Sequence, residues 1–244
     1  MSRLLKAVPL TLALAALSIF ATSCASSNHA QMRVINAIPD SGPEDIYVNG
    51  LRIASSLPFG GVYPPPATSA SYLSVAAGSD TIEGFAPGDK VDPIPPIATI
   101  PMNGLSQYTV IAIGLELNES PPLVLTDTNT APTSEDDVEF RIINVSPSSP
   151  TGGVDVYIVP PGTNIADYTP QIFGLSFGQA SAYQSVVSLA NGYAVIFTPH
   201  LSKSILINQP ATSQAESITT LVLMDNPGGN NGMSQTPLVL NDLN

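Results

Sequence analysis

Few side chains in this sequence are suited to nucleophilic or acid–base catalysis. Its 244 residues include one cysteine, Cys24, and two histidines, His29 and His200. A hydrolase needs a nucleophile, a base and an acid that orients the base, and a zinc site needs about three nitrogen or sulfur ligands. Two histidines far apart in the chain and one cysteine supply neither set. We therefore expect no catalytic residue, no zinc and no cofactor.

Carboxylates offer two alternatives, calcium binding and glycoside hydrolysis. Asp40, Glu44 and Asp45 lie around a Pro-Gly loop, and the neighbouring pair Glu44 and Asp45 could act on a glycosidic bond. Calcium prefers about six to eight oxygen ligands, and of these three acids only Asp45 recurs later, as Asp155. We expect no metal site and expect such aspartates to accept backbone N–H bonds. Calcium bound to loop acids stays an open alternative.

The residues before Cys24 indicate a different chemistry for its thiol. Two basic residues precede the charge-free run 7–20, and the small residues 21–23 lead to Cys24. This pattern is typical of an export signal, and its apolar run is shorter than the about 20 residues of a membrane span. The small residues ending at Cys24 resemble the lipobox of bacterial lipoproteins. The resemblance implies a signal peptide at 1–23, cleavage before Cys24, and a lipidated tether at 24–31.

A lipid anchor at Cys24 would determine where the protein resides and what it meets. Several acyl chains, at about 0.8 kcal/mol per buried methylene, hold a protein at a membrane. The sorting rule that goes with the resemblance implies, from Ser26, the outer rather than the inner membrane in a host with two. The net charge of -12 argues against a nucleic-acid partner. We expect an exported, membrane-anchored protein that binds no nucleic acid.

The elements that must position any binding site come in two similar copies. The Arg-Val-Ile-Asn segment at 33–36 recurs at 141–144 as Arg-Ile-Ile-Asn, and further segments recur in the same order. Their starts are Asp45 and Asp155, Leu57 and Leu175, Tyr72 and Tyr183, and Pro122 and Pro237. Residues 130–137 are polar and acidic, which is typical of a linker. The repeat predicts two domains, residues 32–129 and 138–244.

Each copy has the residue pattern of an all-β domain. Short runs rich in Val, Ile, Thr and Tyr alternate with Pro and Gly clusters, which is typical of strands and turns. About seven strands in about 100 residues is the size of an immunoglobulin-like sandwich. Two inner faces would form its core, and polar residues would cover the outer faces. We predict an all-β fold with two tandem immunoglobulin-like β-sandwich domains after a cleaved signal peptide.

The order of these repeated segments also resembles a known family. The order resembles that of the bacterial domain of unknown function 4397. The segments that carry the resemblance are, in order, Arg-Val-Ile-Asn, Pro, Asp-Ile-Tyr-Val, Phe-Gly, Tyr and Pro-Leu-Val-Leu. The resemblance covers about 32–129 and 138–244, and that family often occurs in tandem in exported proteins. It implies a β-sandwich module and assigns no activity, cofactor or site residue.

Tyrosines in the loops that differ between the copies are the candidate ligand contacts. Tyr63 lies in a proline-rich insertion of the first copy, and Tyr168 lies in a longer segment of the second. Loops on a rigid sandwich are where recognition is usually built. We expect a lipid-anchored cell-envelope protein with a non-catalytic binding, adhesion or scaffold role towards an envelope protein or polysaccharide. The alternatives are an accessory polysaccharide-binding module, with Tyr63 and Tyr168 on the sugar, and, less favoured, a hydrolase.

Overall fold

A computed structural model describes residues 28–66, 71–228 and 232–242, without the side chains of 95–97 and 119. The predicted signal peptide and Cys24 lie outside the described residues. The described chain consists of strands, turns and one 3-10 turn at Ile165–Asp167. None of the helical structure in these ranges is long and apolar enough to cross a membrane.

The first half of the chain forms two facing sheets. Its strands are β1 His29–Asn36, β2 Glu44–Val48, β3 Leu51–Leu57, β4 Val62–Tyr63, β5 Leu73–Ala76, β6 Gly78–Phe85, β7 Pro93–Met102, β8 Gln107–Ala112, β9 Gly114–Leu115, β10 Asn118–Glu119 and β11 Leu123–Asp127. The first inner sheet has the order β11-β8-β1-β4, with β5 also paired to β1. The first outer sheet has the order β3-β2-β6-β7. Strands β9 and β10 form a small separate hairpin.

The second half repeats this arrangement. Its strands are β12 Asp137–Asn144, β13 Val154–Val159, β14 Ile172–Leu175, β15 Gln179–Ala180, β16 Gln184–Val187, β17 Tyr193–Pro199, β18 Ile207–Ala211, β19 Ile218–Leu223 and β20 Leu238–Asn241. The second inner sheet has the order β15-β12-β19-β20, with β16 also paired to β12. The second outer sheet has the order β14-β13-β17-β18. The prediction of an all-β fold with two sandwich-like halves is therefore confirmed.

Both inner sheets have a parallel pair of strands at their centre. In the first half β1 runs parallel to β8, and in the second half β12 runs parallel to β19. An immunoglobulin sandwich consists of two antiparallel sheets. The immunoglobulin-like topology is therefore not confirmed. The parallel pairing also puts Arg33 beside Thr109 and Arg141 beside Thr220.

The described residues form five buried apolar clusters, and the three largest lie between sheets. One lies between the two sheets of the first half and includes Met32, Val34, Ile46, Ile82 and Val110. Another lies between the two sheets of the second half and includes Phe140, Ile142, Val156, Val195 and Phe197. The third, which we call the contact core, joins the two inner sheets and includes Ile35, Val62, Ile111, Ile143, Val222 and Leu240. The layers are therefore ordered outer, inner, inner, outer.

The prediction that polar residues cover the outer face of every sheet is wrong for the inner sheets. In β1, Met32 and Val34 face the outer sheet of their own half, while Ile35 faces the other half. A strand covered on both faces has a nearly continuous apolar sequence rather than an alternating one. In β1 and β12 the last five residues, 32–36 and 140–144, are all buried, although each run contains an arginine and an asparagine.

The apolar alternation in the sequence does not predict strands β3 and β14. Both lie at an edge of an outer sheet. Their pairing with the neighbouring strand is interrupted by register shifts. Edge strands with bulges carry polar and glycine residues, so their sequences lack a regular period of two.

Candidate functional site

An ion-pair cluster lies between the two inner sheets. Nη2 of Arg33 is 2.7 Å from Oδ1 of Asp242, and Nη2 of Arg141 is 2.7 Å from Oδ1 of Asp127. These two pairs join the halves, whereas the pairs within one half are longer, at 3.9 Å for Arg33 and Asp127 and 3.7 Å for Arg141 and Asp242. All four side chains are at most 3% exposed. Each half therefore supplies the nearest countercharge for the other half's arginine.

A threonine connects the arginine and aspartate of each half. Nε of Arg33 donates to Oγ1 of Thr109 at 2.7 Å, and the Thr109 hydroxyl donates to Asp127. In the second half, Nε of Arg141 donates to Oγ1 of Thr220 at 3.3 Å, and the Thr220 hydroxyl donates to Asp242. We call Arg33, Thr109, Asp127, Arg141, Thr220 and Asp242 the ionic cluster. It follows from strand register, because each threonine lies opposite its arginine across the parallel pair.

A tyrosine covers each arginine of the ionic cluster. The ring centre of Tyr72 is 5.0 Å from Cζ of Arg33, and that of Tyr183 is 4.8 Å from Cζ of Arg141, which is cation–π distance. The Tyr72 hydroxyl also donates to Oδ2 of Asp127 at 2.8 Å. Burial raises the pKa of Tyr72 and raises that of Tyr183 to about 12. Both tyrosines therefore stay protonated at neutral pH.

The charges of the ionic cluster stabilise one another. Burial by itself lowers the pKa of Arg33, but the charge of Asp242, helped by Tyr72 and Asp127, outweighs it and raises that pKa. Burying two ions is expensive, and removing one partner leaves an uncompensated charge that costs about 3–5 kcal/mol. The cluster therefore makes the stability of each half depend on contact with the other.

A polar cleft opens beside the ionic cluster, where β1 and β8 begin. It has a volume of about 500 Å³ and includes Asp127 in its wall. Other residues of the wall are Gln31, Ser74, Leu105, Gln107, Thr126 and Asn129. We call it the amide cleft, because three of its side chains are amides that hydrogen-bond in series. Asn129 Nδ2 donates to Gln107 Oε1 at 2.7 Å, and Gln107 Nε2 donates to Gln31 Oε1 at 2.6 Å.

The neighbouring acids Glu44 and Asp45 do not form a carboxylate pair. Successive residues of a strand point to opposite faces. Glu44 lies on the core side of β2 in a small cavity of about 20 Å³, where its Oε1 accepts from Ser41 Oγ at 2.8 Å. Burial raises the pKa of Glu44 to about 7. A carboxyl with this pKa could act as a general base, but the cavity holds about one water and no substrate.

Asp45 and Asp155 each fasten the edge strand of an outer sheet, β3 and β14 respectively. Asp45 accepts the backbone N–H of Ser56 at 2.8 Å and pairs with Arg52 Nη1 at 3.1 Å. Such bonds lower the pKa of Asp45. Asp45 thus accepts backbone N–H groups, as we expected. Among the described residues, no group of three or more His, Cys, Asp or Glu side chains is placed to hold a metal ion.

Asp155 makes the matching contacts in the second half. It accepts the backbone N–H groups of Gly174 at 2.7 Å and Leu201 at 2.9 Å, and its Oδ1 lies 2.8 Å from Nδ1 of His200. Burial works against the lowered pKa of Asp155, but the hydrogen bonds outweigh it. His200 thus lies against an aspartate that also holds β14 at Gly174 and the turn at Leu201. His29 is exposed at the first position of β1.

The structure places the two candidate tyrosines in different environments. Tyr63 is half-buried on β4 and packs against the core of the first half. Tyr168 follows the 3-10 turn of the second half and is 48% exposed, with its carbonyl accepting from Lys203 Nζ. Tyr63 thus presents little ring surface to a ligand and Tyr168 presents more. A ligand contact at either residue stays a prediction.

The fold and the site define an all-β protein in which two sandwich-like halves meet across a buried ionic cluster. Residues 30–157, just over half of the chain, match the family described as Domain of unknown function (DUF4397). The chain belongs to this family. The matched segment runs from β1 into β13, so it contains the first half and the start of the second. A comparison with curated proteins finds no match.

Sequence reasoning found the arginines of the ionic cluster but missed their partners. Arg33 and Arg141 were recognised only as the start of a repeat. Asp127 and Asp242 also occupy matching positions, at the end of the Pro-Leu-Val-Leu segments. A single arginine inside an otherwise apolar strand requires a buried acid, since an unpaired buried charge is costly. The need for a buried acid in each half is the sequence signal that indicates Asp127 and Asp242 as the partners of the two arginines.

Proposed function

We propose that this chain is a lipid-anchored protein of the bacterial cell envelope with a non-catalytic scaffold role, in which two copies of one module act as a single rigid body. The observation that carries the proposal is the exchange of countercharges in the ionic cluster. Two independent binding modules on a flexible linker have no need to bury charged groups against each other. A rigid spacer benefits from such a buried contact between its modules, because it must hold its two ends at a fixed distance and angle.

Matched strand registers support a second copy of the family module in residues 138–244. Ile35 of the first half pairs with Ile111, and Ile143 of the second half pairs with Val222. All four of these residues contribute to the contact core. Two modules of similar shape that present the same sheet to each other bury both sheets, which resembles an isologous contact between subunits.

Export and anchoring are supported by the sequence before the described residues. The small residues before Cys24, and Cys24 itself, follow the lipoprotein pattern. Since Cys24 precedes β1 by only five residues, the anchor would hold the start of the first inner sheet within about 18 Å of the membrane. We propose the outer membrane as the location in a host with two membranes.

Two measurements test the proposal. Cys24→Ser should abolish fatty-acid labelling and release the protein from membranes, and a variant that still labels would contradict the anchor. For rigidity, cysteines carrying spin labels are introduced in Cys24→Ser at Val91 and Leu201, both of which are exposed. We expect one narrow distance distribution between the labels. A broad distribution would contradict the rigid scaffold.

A further inference from the structure

The amide cleft presents neutral hydrogen-bonding groups. Gln31, Gln107 and Asn129 supply amides, and Ser74 and Thr126 supply hydroxyls. The carboxylate in its wall, Asp127, is already engaged by Arg141, Thr109 and Tyr72. The cleft therefore offers many donors and acceptors and little free charge.

The amides of the cleft keep capacity for a ligand. An amide side chain has two N–H donors and an oxygen with two lone pairs, and the series from Asn129 to Gln31 uses part of that capacity. Oδ1 of Asn129 is buried and makes no hydrogen bond to any described atom. That atom has almost no accessible surface, so the capacity that a ligand can reach lies on Gln31, which is exposed, and on Gln107, which is half-buried.

The second half shows that the fold does not require Gln31 and Gln107. Leu105 N donates to His29 O at 2.8 Å, and Glu216 N donates to Asp137 O at 2.7 Å, so the two turns match. By the same register, Gln31 corresponds to Glu139 and Gln107 to Ile218. The second half forms the same inner sheet with an acid and an apolar residue at these positions. Folding therefore does not account for Gln31 and Gln107 in the first half, which leaves them available to a ligand.

We infer that the amide cleft binds an uncharged saccharide. Amides and hydroxyls can hydrogen-bond the neighbouring hydroxyls of a sugar ring, and the volume of about 500 Å³ is that of a small-ligand site. Leu105, which is 68% exposed at the cleft, provides an apolar surface for the C–H face of the ring. The net charge of -12 disfavours an anionic ligand.

This site is separate from Tyr63 and Tyr168 and goes beyond the scaffold role. It would place saccharide binding at the end of the molecule nearest to Cys24, close to the anchoring membrane. Saccharide binding at the cleft does not depend on lipidation, because Cys24 is not part of its wall.

Isothermal titration calorimetry of the purified protein tests the inference, with triacetylchitotriose and maltotriose as probes. We expect at least one of them to bind. Gln107→Ile and Gln31→Glu, which introduce the residue types of the second half, should each weaken binding by about tenfold or more. Glu216→Gln, at the matching end of the second half, is the control and should leave affinity unchanged. Circular dichroism melts establish that each variant is folded.

Two results would overturn the saccharide site. One is the absence of binding by both trisaccharides at millimolar concentration. The other is binding that Gln31→Glu and Gln107→Ile leave unchanged, since the ligand would then sit elsewhere. Should Gln107→Ile fail to fold, Gln31→Glu at the exposed start of β1 decides the question. Neither result bears on the rigid scaffold, which the spin-label distances test separately.

Discussion

The two halves agree at the contact between them and differ at the ends of their inner sheets. Both halves have an arginine, a threonine, an aspartate and a tyrosine at matching places in and around the ionic cluster. At the open end, the amides of the first half correspond to Glu139 and Ile218 of the second. On the core side of β2, Glu44 corresponds to Val154 of β13. The two halves therefore share the residues of the ionic cluster, through which they contact each other, and differ in the residues at the ends of their inner sheets.

The ionic cluster itself is not fully symmetric. Asp127 accepts hydrogen bonds from Arg141, Thr109 and Tyr72. Asp242 accepts from Thr220 and lies 2.7 Å from Nη2 of Arg33, but the hydroxyl of Tyr183 does not donate to it as that of Tyr72 does to Asp127. Asp127 is therefore the better-satisfied carboxylate, and this difference can be measured.

The largest expected effect is the loss of an aspartate from the ionic cluster. Asp127→Ala and Asp242→Ala should each lower the free energy of unfolding by about 3–5 kcal/mol, because each leaves a buried arginine without its countercharge. Asp127→Ala should cost more, since the Tyr72 hydroxyl also loses its acceptor, whereas one threonine loses its acceptor in either variant. Urea unfolding measures both. Losses below about 1 kcal/mol would mean that water already screens the cluster.

A smaller effect is expected from cavities in the contact core. Ile35 and Ile143 occupy matching positions and are fully buried. Replacing either one with alanine should lower the free energy of unfolding by about 2–4 kcal/mol. Thermal melts monitored by circular dichroism compare the two variants. Leu51→Ala, at a position that is 72% exposed, is the control and should change stability by less than about 0.5 kcal/mol. A much smaller loss at one isoleucine would show that its half does not rely on the contact.

Glu44 should make stability depend on pH in a way that Val154 does not. Its pKa rises from the ordinary 4.5 to about 7 on folding. Between pH 4.5 and 7 the carboxyl of Glu44 has lost its proton in the unfolded chain and keeps it in the folded chain. The free energy of unfolding that Glu44 contributes therefore falls as the pH rises and is fully lost above 7. Glu44→Gln should therefore stabilise the protein by roughly 1–3 kcal/mol at pH 8 and have little effect at pH 4.

The control for Glu44 is Glu135→Gln, because Glu135 is exposed in the segment between the halves. Urea unfolding at both pH values gives the difference between wild type and variant. If the gain from Glu44→Gln were equal at pH 4 and pH 8, the carboxyl would not titrate between them.

The smallest effect is expected where a cation meets Asp45 at the surface. Arg52 is about half exposed, so Arg52→Ala should cost less than about 1 kcal/mol. Asp45→Ala should cost more, because the backbone N–H of Ser56 also loses its acceptor. Urea unfolding separates the two variants. Equal losses would mean that the ion pair, rather than the backbone contact, fastens β3.

Sequence reasoning reached the all-β class and missed how the halves meet. The strand pattern and the repeated segments lie in adjacent residues, so they can be read locally. The ionic cluster joins residues such as Arg33 and Asp242 that are distant in the chain, and their proximity depends on which sheets face each other. The amide cleft could not be predicted, because Gln31 meets Gln107 only through the parallel pairing of β1 with β8, and Asn129 approaches Gln107 through the pairing of β11 with β8.

Differential scanning calorimetry of the full chain tests the central claim most directly. If the ionic cluster and the contact core make the two halves one body, the protein should unfold in a single transition whose calorimetric enthalpy equals its van't Hoff enthalpy. Asp127→Ala should move that whole transition to lower temperature without splitting it. Two resolved transitions in the unaltered protein, or a van't Hoff enthalpy of about half the calorimetric value, would contradict the account, because each half would then unfold on its own.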